Sequence, residues 1–549
     1  MEVNFFYSSL QRQLEEVDRL MGLEADSSKP YEHKYKAREI LNSLLNEERV
    51  KENDESARAA QAIIEYLLGV NHFETEEITE SNKHYKKSLK RLLSLHKRDQ
   101  GRYINTFQDV LNALGILACN RGESQLGLEY FFQAQALYQG IQTLKRTSFS
   151  HNFKDFLTGV ENFRFIIDGG VNHKKAEQNY TLTLFYMAQA YSKLGEKEKS
   201  AKFCAETMER QIRSDDYDIK DWAVNAINMA EYYNECGNLN QALYTLQCGM
   251  AIIKTPKKKL ESSLHMQIGR CYISFLDLGV KLHQEKAPIP ESVYQQCMIF
   301  EPLNIPFPRI EPPLNIDSAK ELFKLANTSF KHALDYFVID GYVTEHIEMK
   351  RDISSLYRLL SYFEMDENRI IAMAQRRLEL LEGYTRDINK QAYSQLWQRL
   401  MNEVASVYLD LYEVKQGMIK GKKKKREDLY TKVNIHALSS IEKQMELLEF
   451  IQKFELNEDS AKDVIQSSLN LMFGIARIYS KMDHPDISIK VDYMEKGFRW
   501  YEKLQAYLRE IQKGPHASKV PDLVDQMKVC EEMCELLPRR ISQVNAERE

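Results

Sequence analysis

Few side chains in this 549-residue chain stand at spacings that chemistry would need. Cys530 and Cys534 are four apart, so on a helix they share one face and could offer two sulfurs to a metal. Structural zinc takes two further Cys or His ligands at comparable spacing, and none accompany them, so the pair reads as packing. Glu345, His346 and Glu348 supply two carboxylates and an imidazole. At i, i+1 and i+3 of a helix, however, the three do not all face one another, which defeats an acid–base assembly. Glycine-rich phosphate loops, HExxH, GxSxG and CxxC motifs do not occur in the sequence. The expectation is a protein that is not an enzyme, with no catalytic residue, no metal ligand and no cofactor. Lys422–Lys425, within GKKKKR, could attract phosphate or an acidic protein surface, but flanked by helical stretches it reads as a solvated loop.

What remains is recognition, and the elements that would position it repeat along the chain. Each unit carries a small residue on a first helix, an aromatic or His three later, a Gly or acidic residue four beyond, and a small residue five further on. The clearest copies are Ala188, Tyr191, Gly195, Ser200 and then Ala230, Tyr233, Gly237, Ala242. Upstream stand Gly69, His72, Glu76, Ser81 and Gly115, Ala118, Gly122, Gly127. Gly269 and Tyr272 begin a further unit that runs on as a longer helix, and Ala476, Tyr479, Asp483 form a degenerate copy. Small residues let antiparallel helices approach, the aromatic fills the wedge between them, and Gly permits a left-handed turn. This is the pattern of a tetratricopeptide-like unit. The fold class expected is all-α, a right-handed helical solenoid with inserted loops, one of them near Thr147–Gln178.

Residues 1–285 read as the N-terminal repeat-bearing region. Residues 286–316 hold seven of the 13 prolines, which fix φ and deny helical hydrogen bonds, and read as a linker. Residues 317–549 read as a second solenoid half, opened by a capping box of Ser318 and Glu321 ahead of Leu322, Leu325 and Phe330.

In stacked helical hairpins the first helix of each pair lines the groove. With the small residue as register, the next position supplies Val70, Ile116, Gln189, Glu231 and Arg270; one turn back lie Phe185, Tyr186, Ile227 and Asn228. This surface is aromatic and polar, suited to a wet protein interface. Packing between neighbouring units is the competing role for Tyr186 and Tyr232, less so for Gln189 and Gln211, whose amides gain nothing from an apolar core. A clamp for chaperone tails needs converging Lys and Asn to grip a carboxylate, which Gln189 and Glu231 do not provide.

The charge balance excludes other classes. A net charge of −5 gives no global basic field, so nucleic acid is not an expected partner. No run of about 18 apolar residues occurs, and Met1–Leu10 lacks a basic-then-apolar leader, so neither membrane insertion nor secretion is expected. Eight scattered cysteines then read as reduced cytosolic thiols.

Ile339–Glu364 (IDGYVTEHIEMKRDISSLYRLLSYFE), followed by Arg376, Arg377 and Leu381, resembles the family of kinesin-binding proteins, as do LGVNHFETEE at Leu68–Glu77, YMAQAY at Tyr186–Tyr191 and DWAVNA at Asp221–Ala226. The resemblance implies a cytoplasmic, cytoskeleton-associated solenoid whose concave groove holds kinesin motor domains by their microtubule-binding elements. Microtubules then enter only indirectly, because the motor is kept from its track. It further implies roles in axonal microtubule organisation, axon outgrowth and transport of mitochondria or vesicles. It places Tyr186, Gln189, Gln211, Asn228 and Tyr232 at the motor-binding groove, which the repeat register extends to Glu231. The rival reading is a generic tetratricopeptide peptide-binding adaptor or co-chaperone.

Overall fold

The computed structural model describes residues 2–23, 29–48, 50–52, 54–96, 103–146, 172–255, 257–420, 426–453, 461–514 and 523–546. Among them the regular structure is helical, with no strand. The chain divides into two compact units, residues 1–232 with 297–305, and residues 233–296 with 306–549.

The first unit begins with α1 (Glu2–Met21) and α2 (Glu32–Asn46) and continues as three antiparallel pairs. These are α3 (Glu55–Glu74) with α4 (Ile78–Leu93), α5 (Ile104–Asn120) with α6 (Ser124–Arg146), and α7 (His173–Lys193) with α8 (Lys197–Ser214). α9 (Ile219–Glu235) follows and crosses the division between the units at Tyr232. The repeat spacing has a direct structural counterpart. Glu76, Gly122, Gly195 and Gly237, the third pattern point of four copies, have φ of 64°, 82°, 77° and 74°. At these points the chain must turn left-handed for the second helix to fold back along the first. The first pattern point is small because an aromatic ring of the returning helix lies over it. A Cβ on Gly115 would come within 2.5 Å of the Phe131 ring, and one on Gly69 would strike Tyr85. At the fourth point, Ser81 Oγ donates to Gly69 O at 2.8 Å, and Ser200 Oγ donates to Ala188 O at 2.8 Å. Each hydroxyl ties a second helix to the backbone of the first through the same pair of positions.

Two local features refine the reading. The α3–α4 turn is held by Glu77, which accepts from Arg38 Nη1 at 2.9 Å and lies 2.6 Å from His72 Nδ1. The insertion expected at Thr147–Gln178 ends earlier, because Asn172 accepts from Lys175 N and starts α7 at His173. Of that insertion, residues 147–171 lie outside the described residues.

The second unit runs through α10 (Leu239–Ala251), α11 (Lys258–Glu285), α12 (Ile316–Leu334), α13 (Val343–Ser361) and α14 (Glu367–Leu381). A single turn, α15 (Tyr384–Asp387), leads to α16 (Ser394–Lys420), α17 (Glu427–Ile451), α18 (Ala461–Lys481), α19 (Ile487–Lys513) and α20 (Leu523–Ala546). The long helix begun by Gly269 and Tyr272 is α11, and the Phe330 ring covers Gly269 as Phe131 covers Gly115. The core is built around Trp397, fully buried, whose indole N–H donates to Thr385 O at 2.9 Å. Arg377, 3% exposed, donates to Ser354 Oγ and to Asp410, while Ser354 and Arg351 both reach Glu403. Such a buried cation persists only with its partners in place.

The proline-rich stretch, expected as a linker, is packed. Within the second unit Asn240 Nδ2 donates to the carbonyls of Val293 and Ile310, each at 2.9 Å, and its Oδ1 accepts from Ile310 N at 2.8 Å. Pro313 lies against Gly279. Within the first unit Phe300 is buried edge-on to Trp222, ring centroids 5.2 Å apart. The expected capping box is displaced by three residues: Asn315 is the N-cap, accepting from Ser318 N at 2.9 Å, and Ser318 answers as the third helical residue. Asn315 follows Pro312–Pro313–Leu314 and is extended (φ −150°, ψ 170°), the backbone an N-cap residue takes.

Candidate functional site: an acidic cleft on the α7–α9 face

α7, α8 and α9 enclose a cleft of about 950 Å³. α7 contributes Lys174, Gln178, Leu182 and Phe185, which recur at helical spacing along one side. α8 contributes its last turns, including Thr207, Arg210 and Gln211. α8 ends because Asp215 turns left-handed (φ 50°), and the chain re-enters helix as Asp218 Oδ1 accepts from Asp221 N at 2.9 Å. That short connection and the first turn of α9 bring Asp215, Asp216, Asp218 and Asp221 to the lining of the cleft.

One wall is rigid. Arg210 sits over the Tyr180 ring at 4.5 Å and the Tyr138 ring at 5.2 Å, and those rings stack with centroids 4.0 Å apart. Its Nη2 donates to Glu177 Oε2 at 2.6 Å, which Tyr138 OH also reaches at 2.6 Å. Burial would push the Glu177 carboxyl up, but the hydrogen bonds from Tyr138 and Arg210 outweigh it and hold it below the usual range. Burial raises both tyrosines. A planar guanidinium held by two rings and a carboxylate keeps α6, α7 and α8 in fixed register.

The predicted residues fall into four groups. Gln211 lines the cleft, and its Oε1 is buried with no hydrogen-bond donor. Gln189 and Asn228 are exposed and continue the cleft-lining rows of α7 and α9 by one further turn; half-buried Tyr232 extends the α9 row by another. Glu231 is exposed but stands roughly 80° around α9 from Asp221, off that row. Tyr186 turns away from the cleft: it is half-buried, stacked on Phe131 with centroids 6.1 Å apart, and packed beside Met187 and Ala190. Burial raises its phenol. Register reasoning missed Leu182, Asp216 and Asp221. Moving back along α7 from Gln189 by four and then three residues would have reached Phe185 and Leu182, and Asp221 lies seven before Asn228. Of the α8 wall only Gln211 was named, through the family resemblance, because the repeat register places first helices along the groove.

The residues weighed for chemistry are otherwise engaged. His346 Nδ1 donates to Phe337 O at 2.8 Å and its Nε2 accepts from Tyr384 OH at 3.0 Å, while Glu348 is paired with Arg351 and Arg399. Cys530 is fully buried, its thiol pushed up to about 11 by burial, and half-buried Cys534 is also raised. Among the described residues no group of three or more His, Cys, Asp or Glu is arranged to hold a metal ion, and no helix is long and apolar enough to cross a membrane. Lys422–Lys425 lies outside the described residues.

Residues 308–544 match the family described as KIF-1 binding protein C terminal. Over 551 aligned residues the chain is 26% identical to KIF-binding protein of Xenopus tropicalis, covering 90% of this chain and 86% of that one. It is likewise 26% identical to KIF-binding protein of Gallus gallus, with 94% of each covered. A solved structure of kinesin binding protein superposes with a TM-score of 0.65 at 23% identity, covering 97% of this chain and 99% of the other, which establishes the shared helical fold. The chain is thus similar to the KIF-binding proteins along nearly its whole length, and residues 308–544 match the model of that family's C-terminal region.

Proposed function

We propose that this chain is a non-catalytic scaffold that binds the motor domain of kinesins and keeps it from microtubules. The observation that carries this reading is the similarity to KIF-binding proteins over about nine-tenths of the chain, which includes both the C-terminal region and the helices around the cleft. The α7–α9 face supports it: Gln189 and Asn228 are exposed amides beside Phe185, Leu182 and a run of carboxylates, and a motor's microtubule-binding surface is basic. No chemical step is required. Affinity comes from a few central anchors, with amides fixing register. The site of action is then the cytoplasm, where motors meet their tracks, and axon outgrowth and organelle transport follow as downstream effects.

Groove and microtubule compete for one motor surface, so the two bound states exclude each other. Adding the protein is expected to lower the fraction of a kinesin motor domain that co-sediments with microtubules. Gln189→Ala combined with Asn228→Ala is expected to cost on the order of 2 kcal/mol in motor affinity and to restore co-sedimentation. A folded double variant that displaces the motor as well as the parent does would falsify the assignment of this face.

A further inference from the structure

We infer that Ser542 is a phosphorylation site for a protein kinase that reads arginines on the N-terminal side of its target, and that Pro538 makes it reachable. The inference concerns the outer face of α20 and is independent of the motor-binding reading.

α20 has two faces with different duties. Leu537, Ile541 and Val544 recur at i, i+4 and i+7 and pack into the core of the second unit, where Leu537 is 2% exposed and Val544 8%. Arg539, Arg540, Ser542 and Gln543 lie on the outer side and are exposed. The serine therefore has arginines three and two positions before it, at the surface. Among the described residues neither arginine forms an ion pair, so both are open to the carboxylates of an incoming protein. The sequence holds one other pair of adjacent arginines, Arg376–Arg377. There Arg377 is buried and Glu379 stands where the serine would be, so the arrangement at Ser542 is not repeated.

A kinase takes its substrate as an extended segment, so Ser542 must leave the helix to react. Pro538 lowers the cost of that step. It stands inside α20, where it has no N–H to give to Cys534 O and its ring crowds that carbonyl. Beyond it only residues 539–546 are helical, a length that is not stable by itself in water. They are held by Ile541 and Val544 against the core and by local bonds such as Ser542 Oγ donating to Pro538 O at 3.0 Å. In the transfer, Ser542 Oγ attacks the γ-phosphorus of ATP. The bond to ADP breaks as the new P–O bond forms, and the hydroxyl proton passes to the kinase's base. The ester adds about 1.5–2 negative charges beside two arginines, so a cationic patch becomes nearly neutral.

The test incubates the full-length protein with ATP and the catalytic subunit of cAMP-dependent protein kinase, which selects Arg-Arg-x-Ser. Phosphate at Ser542 is followed by mass spectrometry of the digest, with a synthetic peptide covering 536–546 as the unfolded reference. The parent protein is expected to react within about tenfold of the peptide's rate, because opening the last turns is a small local step. Arg539→Gln with Arg540→Gln is expected to slow phosphorylation about tenfold or more. Pro538→Ala is expected to slow it about fivefold or more in the protein, by completing the helix, and to leave the peptide's rate unchanged. A parent protein that takes no phosphate at Ser542 while the peptide does overturns the inference, and so does a peptide that is not phosphorylated. A Pro538→Ala protein that reacts as fast as the parent overturns the role given to Pro538.

Discussion

Tyr186 and Gln189 stand three residues apart on α7 and have different consequences. Gln189 is exposed, so its truncation removes only what a partner would touch. Tyr186 stacks on Phe131 and joins the cluster of Met187, Ala190 and Tyr191, so Tyr186→Ala also opens a gap between α6 and α7. Its expected cost to folding is about 1–3 kcal/mol, read as a lower urea midpoint, whereas Gln189→Ala should leave the midpoint within about 0.5 kcal/mol. His72 and Glu77 give a second prediction at this scale. Burial holds His72 below its ordinary value. Burial alone would raise Glu77, but hydrogen bonds from Arg38 and His72 bring it lower. In both cases the unfolded chain takes up the proton first, so stability is present above the unfolded values and is lost as pH falls. The loss begins near the free imidazole value of about 6.5 and continues through the carboxylate range near 4. His72→Gln is expected to flatten the drop in urea midpoint between neutral and mildly acidic buffer.

At the scale of the helix pair, the fold was largely legible because its constraints are local. A left-handed turn and an aromatic lying over a backbone each require a particular residue type, and the positions of Gly69, Gly115, Gly122 and Gly195 carry that information. Gly115→Ala is expected to destabilise by about 1–3 kcal/mol, since its Cβ would meet the Phe131 ring at 2.5 Å. Ser200→Ala should cost about 1 kcal/mol by releasing the bond to Ala188 O. Thermal melts would rank the two, and equal midpoints for parent and Gly115→Ala would contradict the close approach. Less legible was whatever depends on two distant segments meeting. Nothing near Asn240 in the sequence announces that its amide spans Val293 and Ile310, so prolines that deny helix read as a linker. The cleft was legible only in part for the same reason: the register reaches Phe185, but Leu182 is an ordinary apolar residue until the end of α8 and the start of α9 stand beside it.

For the whole molecule, similarity to the KIF-binding proteins extends well beyond the face that the repeats locate. The C-terminal region at 308–544 supplies its own core, with Arg351, Ser354 and Arg377 of the segments that carry the family resemblance tied into one buried network. The proline-rich stretch is the next point to test. Asn240→Ala removes three hydrogen bonds from its flanks, and limited trypsin digestion is expected to cut at Arg309 faster than in the parent. An unchanged cleavage rate would mean that Pro313 against Gly279 suffices to hold it.

The thiols have a practical consequence. Burial pushes Cys204, Cys248 and Cys271 up to about 12, and Cys530 to about 11, so at neutral pH these sulfurs are poor nucleophiles. Cys236 and Cys297 are the exposed pair. The native chain thus offers two natural attachment points for maleimide dyes, one of which, Cys236, follows directly on the last residue of α9. A fluorophore placed there would report changes at the end of α9 in the unmutated protein.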